Sequence, residues 1–450
     1  MSTITTENKD WRPQQIFLLR LAFLFFIVLS IPYDLNLFRS LSGGFFAFEN
    51  WFQLATYRTS FIPESLYVGI NLEGYYNWLI AFFVALLGTF IWQKSKYRRN
   101  DDYDQIYYWL RVLIRYRLAL AAIFFGVVKF LPIQIPDVTI SDLHTEYGDY
   151  LLWKLYYLTN GISTAGYVPV IGVLEIAGGL LLLSKRTTVI GAGILLAVFL
   201  NVVLVNFVYD IGEQVYSSFL FLLSFVLILY DLPRLYSLLV RETTSYPDTF
   251  VPLYSDKIRK IRPFLQVLFL LVISIFSVQA YSSWKDTDYP FPYEKGIEAS
   301  SGIYDVRDFV LNGDTLAYSL TDSVRWQNIV FEEWNTLSVR ENTKVKIDSL
   351  KPRIVFQSNK DRNYEQLGNG GRHFYRYTYT EGEEDRPATL KLFNKTDTSR
   401  FYDFTYEQRS KNEVLLRGTD WKGDSLRITL DRLPKRYLLK EGRRKPIKIY

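Results

Sequence analysis

The stretch TVIGAGILLAVFLNVVLVNFV, residues 188–208, carries no charge over twenty-one residues. A bilayer core about 30 Å thick is crossed by roughly 20 mostly apolar residues in a helix. The segment therefore predicts a transmembrane helix. Six further stretches have a similar character: Gln15–Pro32, Tyr75–Trp92, Val112–Leu131, Val168–Leu183, Val215–Tyr230 and Pro263–Ala280. The expected architecture is an α-helical membrane bundle of about seven helices. Arg20 interrupts the first stretch and no small-residue cleavage site follows it, so it reads as a retained helix and not as a signal peptide.

Beyond the last of these stretches the composition changes. Residues 1–281 hold 42 charged residues in all, about 15%, and residues 282–450 hold 56, about 33%. The first part reads as membrane and the second as a soluble domain. That division argues against disorder, a collagen-like chain or a wholly soluble enzyme. Flanking Lys and Arg set the orientation. With the N-terminus inside, segments 1–14, 93–117, 184–187 and 232–262 carry 17 basic residues, against 3 in the outer loops: Arg39, Arg58 and Lys154. Seven crossings then put residues 282–450 outside, in the periplasm of a two-membrane cell. Two outer runs are aromatic, Phe45–Phe61 and Tyr147–Thr159. They suggest helices lying in the membrane interface, or a lid over an outward-facing site.

Ionisable residues inside a bilayer are costly and usually face the bundle interior. Arg20 and Arg117 fall near the inner face. Lys129, Gln134, Glu175, Asn201, Asn206 and Asp210 fall at similar depth on the outer side and form the candidate polar cluster. Gly172, Glu175 and Gly179 share a helix face at i, i+3 and i+7, which places Glu175 between helices. Gly193, Ala197 and Asn201 make a second stripe. Glu175 is expected to pair with Lys129, with Asn201 and Asn206 completing its hydrogen bonds. Such a pair either fixes helix register or lines a small pocket for a polar headgroup, a quinone ring or a proton.

At these residues the chain resembles the DoxX-like family of membrane proteins. The matching segments are Tyr116-Arg-Leu118 with Gly126-Val-Val-Lys129 and Pro132-Ile-Gln134, then Gly172–Leu183 with Lys185-Arg-Thr-Thr188, and Asn201–Asn206 running on to Asp210. The resemblance implies a four-helix core over residues 112–231. Two transmembrane helices with an outer interfacial loop would precede it (1–111), and an inner loop with the last helix would follow (232–281). It is closest to a longer subgroup whose charged C-terminal domain opens with Gly302-Ile-Tyr-Asp-Val306 and Asn312-Gly-Asp314 and closes with Trp421-Lys-Gly-Asp-Ser-Leu426. Ile211-Gly-Glu-Gln214 stands where the subgroup has Val-Pro-Val-Lys, so a basic group at that corner is missing. The tail from Lys435 to Tyr450 also differs and is basic. Relatives of this kind include membrane subunits associated with quinone-linked redox complexes, and many have no assigned reaction.

Residues 299–432 alternate apolar and polar positions in short runs, among them Phe374–Thr380, Ala388–Phe393, Phe401–Tyr406, Val414–Arg417 and Ser425–Leu430. Turn signals stand at Asn312-Gly313 and Lys422-Gly-Asp424. Eight to eleven strands are expected, in an antiparallel all-β barrel or sandwich, with a lipocalin-sized barrel favoured. Residues 282–298 read as a linker, and residues 299–450 as an extracytoplasmic domain with a basic tail.

The chemistry is bounded by what the chain lacks. There is no cysteine, and the two histidines, His144 and His373, lie outside the apolar segments. Thiol chemistry and a bis-His haem are excluded, and a His-rich metal site is not expected. No nucleophile–base spacing, metal motif or phosphate loop is present, so no catalytic residue is assigned. Electrons, if carried at all, would need a quinone or a partner subunit. Net charges of +2 and +4 in the two parts do not suggest nucleic acid. Two expectations follow. One is a membrane subunit of a quinone-linked redox complex, its β domain docking a partner. The other is a non-enzymatic envelope protein whose β domain binds a lipid, a small apolar ligand or another envelope protein.

Overall fold

The structure, a computed structural model, describes residues 11–45, 47–62, 74–95, 102–162, 166–245, 256–347, 352–356, 358–383 and 386–441. The basic tail beyond residue 441 and the inner-loop cations Lys96, Arg98 and Arg99 lie outside the described residues. The helices are α1 (Pro13–Ser30), α2 (Leu35–Gly43), α3 (Phe48–Ala55), α4 (Tyr75–Lys94), α5 (Tyr103–Phe130), α6 (Ile140–Leu143), α7 (Leu152–Gly161), α8 (Tyr167–Leu182), α9 (Thr188–Val208), α10 (Gln214–Leu239) and α11 (Asp256–Thr287). Among the described residues nine strands follow, then a short α12 (Leu438–Glu441).

The chain divides into two compact units. A helical unit combines Met1–Leu131 with Val168–Ser283, and a β unit combines Pro132–Tyr167 with Trp284–Tyr450. This corrects the expected division. Residues 132–167 do not belong to a continuous 112–231 core but fold with the strands. Residues 282–298 are not a loose linker either. Tyr289 is buried, and Phe291 stacks on Trp334 with ring centroids 4.2 Å apart.

Among the described residues, five helical segments of the helical unit are long and apolar enough to cross a membrane: Pro13–Gly43, Tyr75–Lys94, Thr188–Val208, Gln214–Leu239 and Ile258–Thr287. Tyr167–Leu182 is a shorter apolar helix. These mark the chain as a membrane protein. Helix α5 spans about 42 Å at 1.5 Å per residue but carries Arg111, Arg115, Arg117 and Lys129.

Close backbone approach fixes α5, α8 and α9. A Cβ on Gly172 would sit 2.6 Å from the Gly126 carbonyl oxygen and 2.7 Å from the Phe130 nitrogen. A Cβ on Gly191 would sit 2.7 Å from the Gly178 oxygen. Small residues allow such contact where there is no water to drive helices together. The stripe expected on α9 is not its packing face. Gly193 has open space before it, Ala197 and Asn201 are exposed, and the buried side runs through Gly191, Ala192, Leu195 and Phe199.

Helix α3 packs one face into the helical unit. Phe52 contacts Phe125 with centroids 5.2 Å apart, and Phe48, Phe52 and Ala55 are almost inaccessible.

The strands are β1 (Gly302–Leu311), β2 (Asp314–Thr315), β3 (Asn328–Phe331), β4 (Thr336–Arg340), β5 (His373–Thr380), β6 (Ala388–Asn394), β7 (Phe401–Gln408), β8 (Glu413–Asp420) and β9 (Ser425–Arg432). Each of β3 to β9 pairs antiparallel with its neighbour in sequence, and β1 pairs with both β3 and β9. The result is a closed, up-and-down, eight-stranded barrel with β2 as a hairpin arm on β1. The sandwich alternative is thereby settled in favour of the barrel.

Alternation explains the interior. Ile329 and Phe331, Leu337 and Val339, Tyr375 and Tyr377, Tyr402, Phe404 and Tyr406 all point into one core. A bulge between Val306 and Asp308 resets the phase of β1, so that both Tyr304 and Phe309 face inward. Trp326 fills the centre against Tyr402 and Phe404. Eight strands leave an interior that side chains can fill, and here large rings fill it.

The Asn312-Gly313 turn has positive φ at both residues, 51° and 92°, which matches the right-handed twist of a hairpin. Gly313→Ala is expected to lower the stability of the β unit by about 1 kcal/mol. The shift would be read from the urea midpoint of tryptophan fluorescence.

Candidate functional site

In the helical unit the structure brings Lys129 and Glu175 together. Lys129, in the last turn of α5, reaches across to α8. Its Nζ lies 2.7 Å from Oε1 and 2.8 Å from Oε2 of Glu175. The Glu175 side chain is fully buried and Lys129 nearly so. Gly126 and Gly172, one turn below on each helix, hold the two backbones close enough for the pair to form.

The other members of the expected cluster do not join it. Asn201 is exposed. Asn206 donates to the Val202 oxygen of its own helix at 2.8 Å. Its backbone carbonyl accepts from Gln214 Nε2 at 3.1 Å, and Gln214 also reaches Asp210 at 3.5 Å. Asn206, Asp210 and Gln214 therefore shape the α9–α10 turn. Gln134 falls in the β unit. Helical rotation separates residues that share a depth, and depth was all that placed them together.

The two inner-face arginines are also resolved. Arg20 donates to Tyr103 Oη at 2.8 Å and sits 5.2 Å from the Trp92 ring. Arg117 is buried beside the end of α3. It donates to the carbonyls of Ala55 at 2.6 Å and Tyr57 at 2.7 Å. These are the open carbonyls at the C-terminus of α3, where a cation is favoured.

The β unit holds a second polar site that was missed in the sequence. Segment 132–167 folds α6 and one face of α7 into this unit. Trp153, Lys154 and Tyr157 are all inaccessible. Lys154 Nζ donates to the Tyr364 carbonyl at 3.0 Å, lies 4.1 Å from the centroid of the Tyr364 ring, and stands 3.6 Å from Asp142 Oδ1. Thr139 and Asp142 form a reciprocal capping box at the start of α6. Glu332, just past β3, accepts from the backbone nitrogens of Ser141 at 2.7 Å and Ile140 at 3.2 Å.

Ser141 Oγ meets Ser338 Oγ at 2.7 Å. Arg372 donates to Ser338 Oγ at 2.7 Å, to Asn328 Oδ1 at 2.8 Å and to the His144 carbonyl at 3.2 Å. Lys395 pairs with Glu365, which also accepts from Thr336 at 3.2 Å. Strand β4 therefore has two buried faces. Leu337 and Val339 enter the barrel core, while Thr336 and Ser338 face this network.

Three cations (Lys154, Arg372, Lys395) thus balance three carboxylates (Asp142, Glu332, Glu365), all but sealed from solvent. Burial pushes Asp142 up and Lys154 and Lys395 down, each opposed by its partners. Glu332 is pushed up to about 7, first by burial and then by Asp142, against the two backbone donors. Arg372 is lowered to about 9 by burial. Lys154, one of three basic residues in the outer loops, was the only visible signal of this network. Tyr364 and Glu365 lie about two hundred residues away, whereas Asp142 stands twelve residues before it. His373 starts β5 and bonds Thr343 at 2.7 Å. Among the described residues no acidic, histidine or cysteine group could hold a metal.

A pH dependence follows from Glu332. An unfolded glutamate titrates near 4.3, so between that value and about 7 the folded state binds the extra proton. Stability contributed by this group is then greatest at low pH and falls as pH rises through the window, by at most roughly 1.4 kcal/mol per pH unit. The buried histidines act in the opposite sense, since burial lowers His144 to about 4. The expected result is therefore a difference. Wild type minus Glu332→Gln should lose stability between pH 5 and 7 and stay flat above 8, measured by urea unfolding.

Over 119 residues the chain is 34% identical to an uncharacterized protein of Bacillus subtilis (strain 168), YwoB. The match covers 26% of this chain and 74% of YwoB. The chain belongs to the same family as YwoB. Most of the chain lies outside the match to YwoB. No family model matches the chain, and no solved structure matches it.

Proposed function

We propose that the chain is a DoxX-like integral membrane protein of the cell envelope and a non-enzymatic docking scaffold. Its β unit would stand outside the cytoplasmic membrane, with the N-terminus in the cytoplasm and about seven crossings. The observation that carries this reading is the burial of segment 132–167 against the strands. The chain leaves the helical unit at Leu131, builds α6 and α7 into the β unit, and returns at Val168. The helices on either side of that excursion are α5 and α8, which Lys129 and Glu175 join. The barrel is thus tied to the helices by three covalent connections, and two of them leave a pair of clamped helices.

A barrel whose interior is filled by side chains suits protein docking better than carriage of a small ligand inside it. The face of β6, β7 and β8 is open and charged, with Lys391, Asp403, Glu407, Arg409 and Arg417 exposed. The quinone-linked reading has less support. The Glu175 carboxylate is fully buried and paired with Lys129, so a carrier would have to break that pair to reach it.

The test is site-specific photocrosslinking in membranes from Lys391 and Arg417. A discrete envelope-protein adduct on this face, unaffected by Glu175→Gln, is the expected result. A stoichiometric quinone or redox subunit that disappears in Glu175→Gln would overturn the reading.

A further inference from the structure

Apart from its filled barrel core, the β unit has a cavity of about 460 Å³ where residues 288–295 and the β3–β4 turn meet the start of α6. Two backbone bonds fix its wall. Gly296 N donates to the Glu333 carbonyl and Asn335 N to the Glu294 carbonyl, each at 2.9 Å. Phe291 and Trp334, stacked on one another, line it, and Tyr293 adds a third ring. A cavity of this volume suits a small organic molecule.

The charge on the wall is one-sided. Asp288, Glu294 and Glu333 line the cavity against a single cation, Lys295, and all four are exposed. Asp288 and Glu333 make no side-chain hydrogen bond or ion pair with the described residues, and Glu294 meets only the neutral Asn335 amide. Arg362 Nη1 donates to Thr287 and to the Phe291 carbonyl and does not line the cavity. Asp137, also on the wall, is already engaged.

Two buried groups complete the wall. Glu332 is 2% exposed and takes only the two backbone donors of α6, with no cation in ion-pair contact among the described residues. Burial, unopposed by any contacting cation, is what lifts it to about 7. Trp334 Nε1 is buried with no acceptor. The wall therefore offers an open donor as well as open carboxylates. A bare metal ion needs oxygen ligands converging on one point, and among the described residues no three acidic or histidine groups do so. An ammonium ion instead suits carboxylates spread around aromatic faces.

We propose that this cavity binds a small organic ammonium ion that carries an oxygen acceptor, an amino alcohol by chemical class. The ammonium group lies against the aromatic wall beside Asp288 and Glu333, and the oxygen takes the Trp334 indole proton. The cavity shares no residue with the docking face proposed above, so neither reading depends on the other.

Choline is the probe, and its dimethylbutanol isostere, with carbon in place of the ammonium nitrogen, is the uncharged control. The full-length protein in detergent micelles is titrated with each by calorimetry at pH 8, where Glu332 is ionised. Choline should bind one to one, at least about ten-fold more tightly than the isostere. Asp288→Asn and Glu333→Gln should each weaken it roughly three- to five-fold. Asparagine tolerates the φ of 50° at position 288, so an unchanged melting temperature should accompany both losses. Trp334→Leu should weaken choline about ten-fold. No choline binding up to about 10 mM, equal affinity for the isostere, or an affinity indifferent to both charge substitutions would overturn the inference. Displacement of choline by calcium that persists in Trp334→Leu would reduce the site to a bare acidic surface and overturn it as well.

Discussion

Lys154→Met is expected to destabilise the β unit by about 3–5 kcal/mol, the usual cost of removing one partner from a buried ion pair. The side chain is fully buried, and so is that of Asp142 at 3.6 Å. Methionine fills a similar volume, so packing is largely kept and the loss is electrostatic. Asp142 would remain in a dry site with its nearest cation gone, and it would have to take up a proton to persist. Tyr364 would lose the donor to its carbonyl and the cation over its ring. Asp142→Asn together with Lys154→Met should recover most of the loss, because no uncompensated charge is then left. Urea unfolding followed by pulse proteolysis reads all three proteins. Strict additivity of the two single substitutions would show that the pair is not coupled.

What could be read in the sequence follows the range of the interactions. Thr188–Val208 and the other apolar runs needed only length and hydropathy. The strands needed only alternation, and the observed elements extend the expected ones by a residue or two, as at His373–Thr380 and Phe401–Gln408. Lys129 with Glu175 was legible because each is a lone charge in an apolar run, and opposite charges in such places seek one another.

Asn201 shows the limit of that reasoning. It shares a depth with Glu175 but not a direction, and only the rotation of α9 against α8 decides the matter. The aromatic run Tyr147–Thr159 did not reveal its contacts with the strands for a related reason. Tyrosine and tryptophan suit a membrane interface, and they suit equally a buried surface with polar handles. Tyr150, for instance, donates to the Asp142 carbonyl at 2.7 Å. Contacts with the second half of the chain, such as Lys154 Nζ to the Tyr364 carbonyl, place the run in the β unit. A charged Lys154 in the middle of the run was a sign that some carboxylate waited elsewhere, without saying which.

The second large effect is expected at Gly172. Its missing Cβ leaves room for the Gly126 carbonyl and the Phe130 nitrogen, and any side chain would stand 2.6–2.7 Å from those atoms. Both are backbone atoms, so no rotamer change relieves the clash and the helices themselves must part. Overpacking of a close contact typically costs 1–3 kcal/mol. Gly172→Leu, which also inserts a branched side chain between α5 and α8, is expected at or beyond the upper end of that range. The consequence for the proposed scaffold is specific. Glu175 sits one turn further along α8, and separation of the helices would draw its carboxylate away from Lys129.

The chain has no native cysteine, so spin labels can be placed cleanly at Phe130 on α5 and Leu180 on α8, both exposed. The label distance should lengthen and broaden in Gly172→Leu and stay nearly unchanged in Lys129→Met, because the glycine contact, and not the ion pair, sets the spacing. A lengthening in Lys129→Met as large as in Gly172→Leu would reverse that order and make the charge pair the element that holds the two helices at the mouth of the β unit's inserted segment.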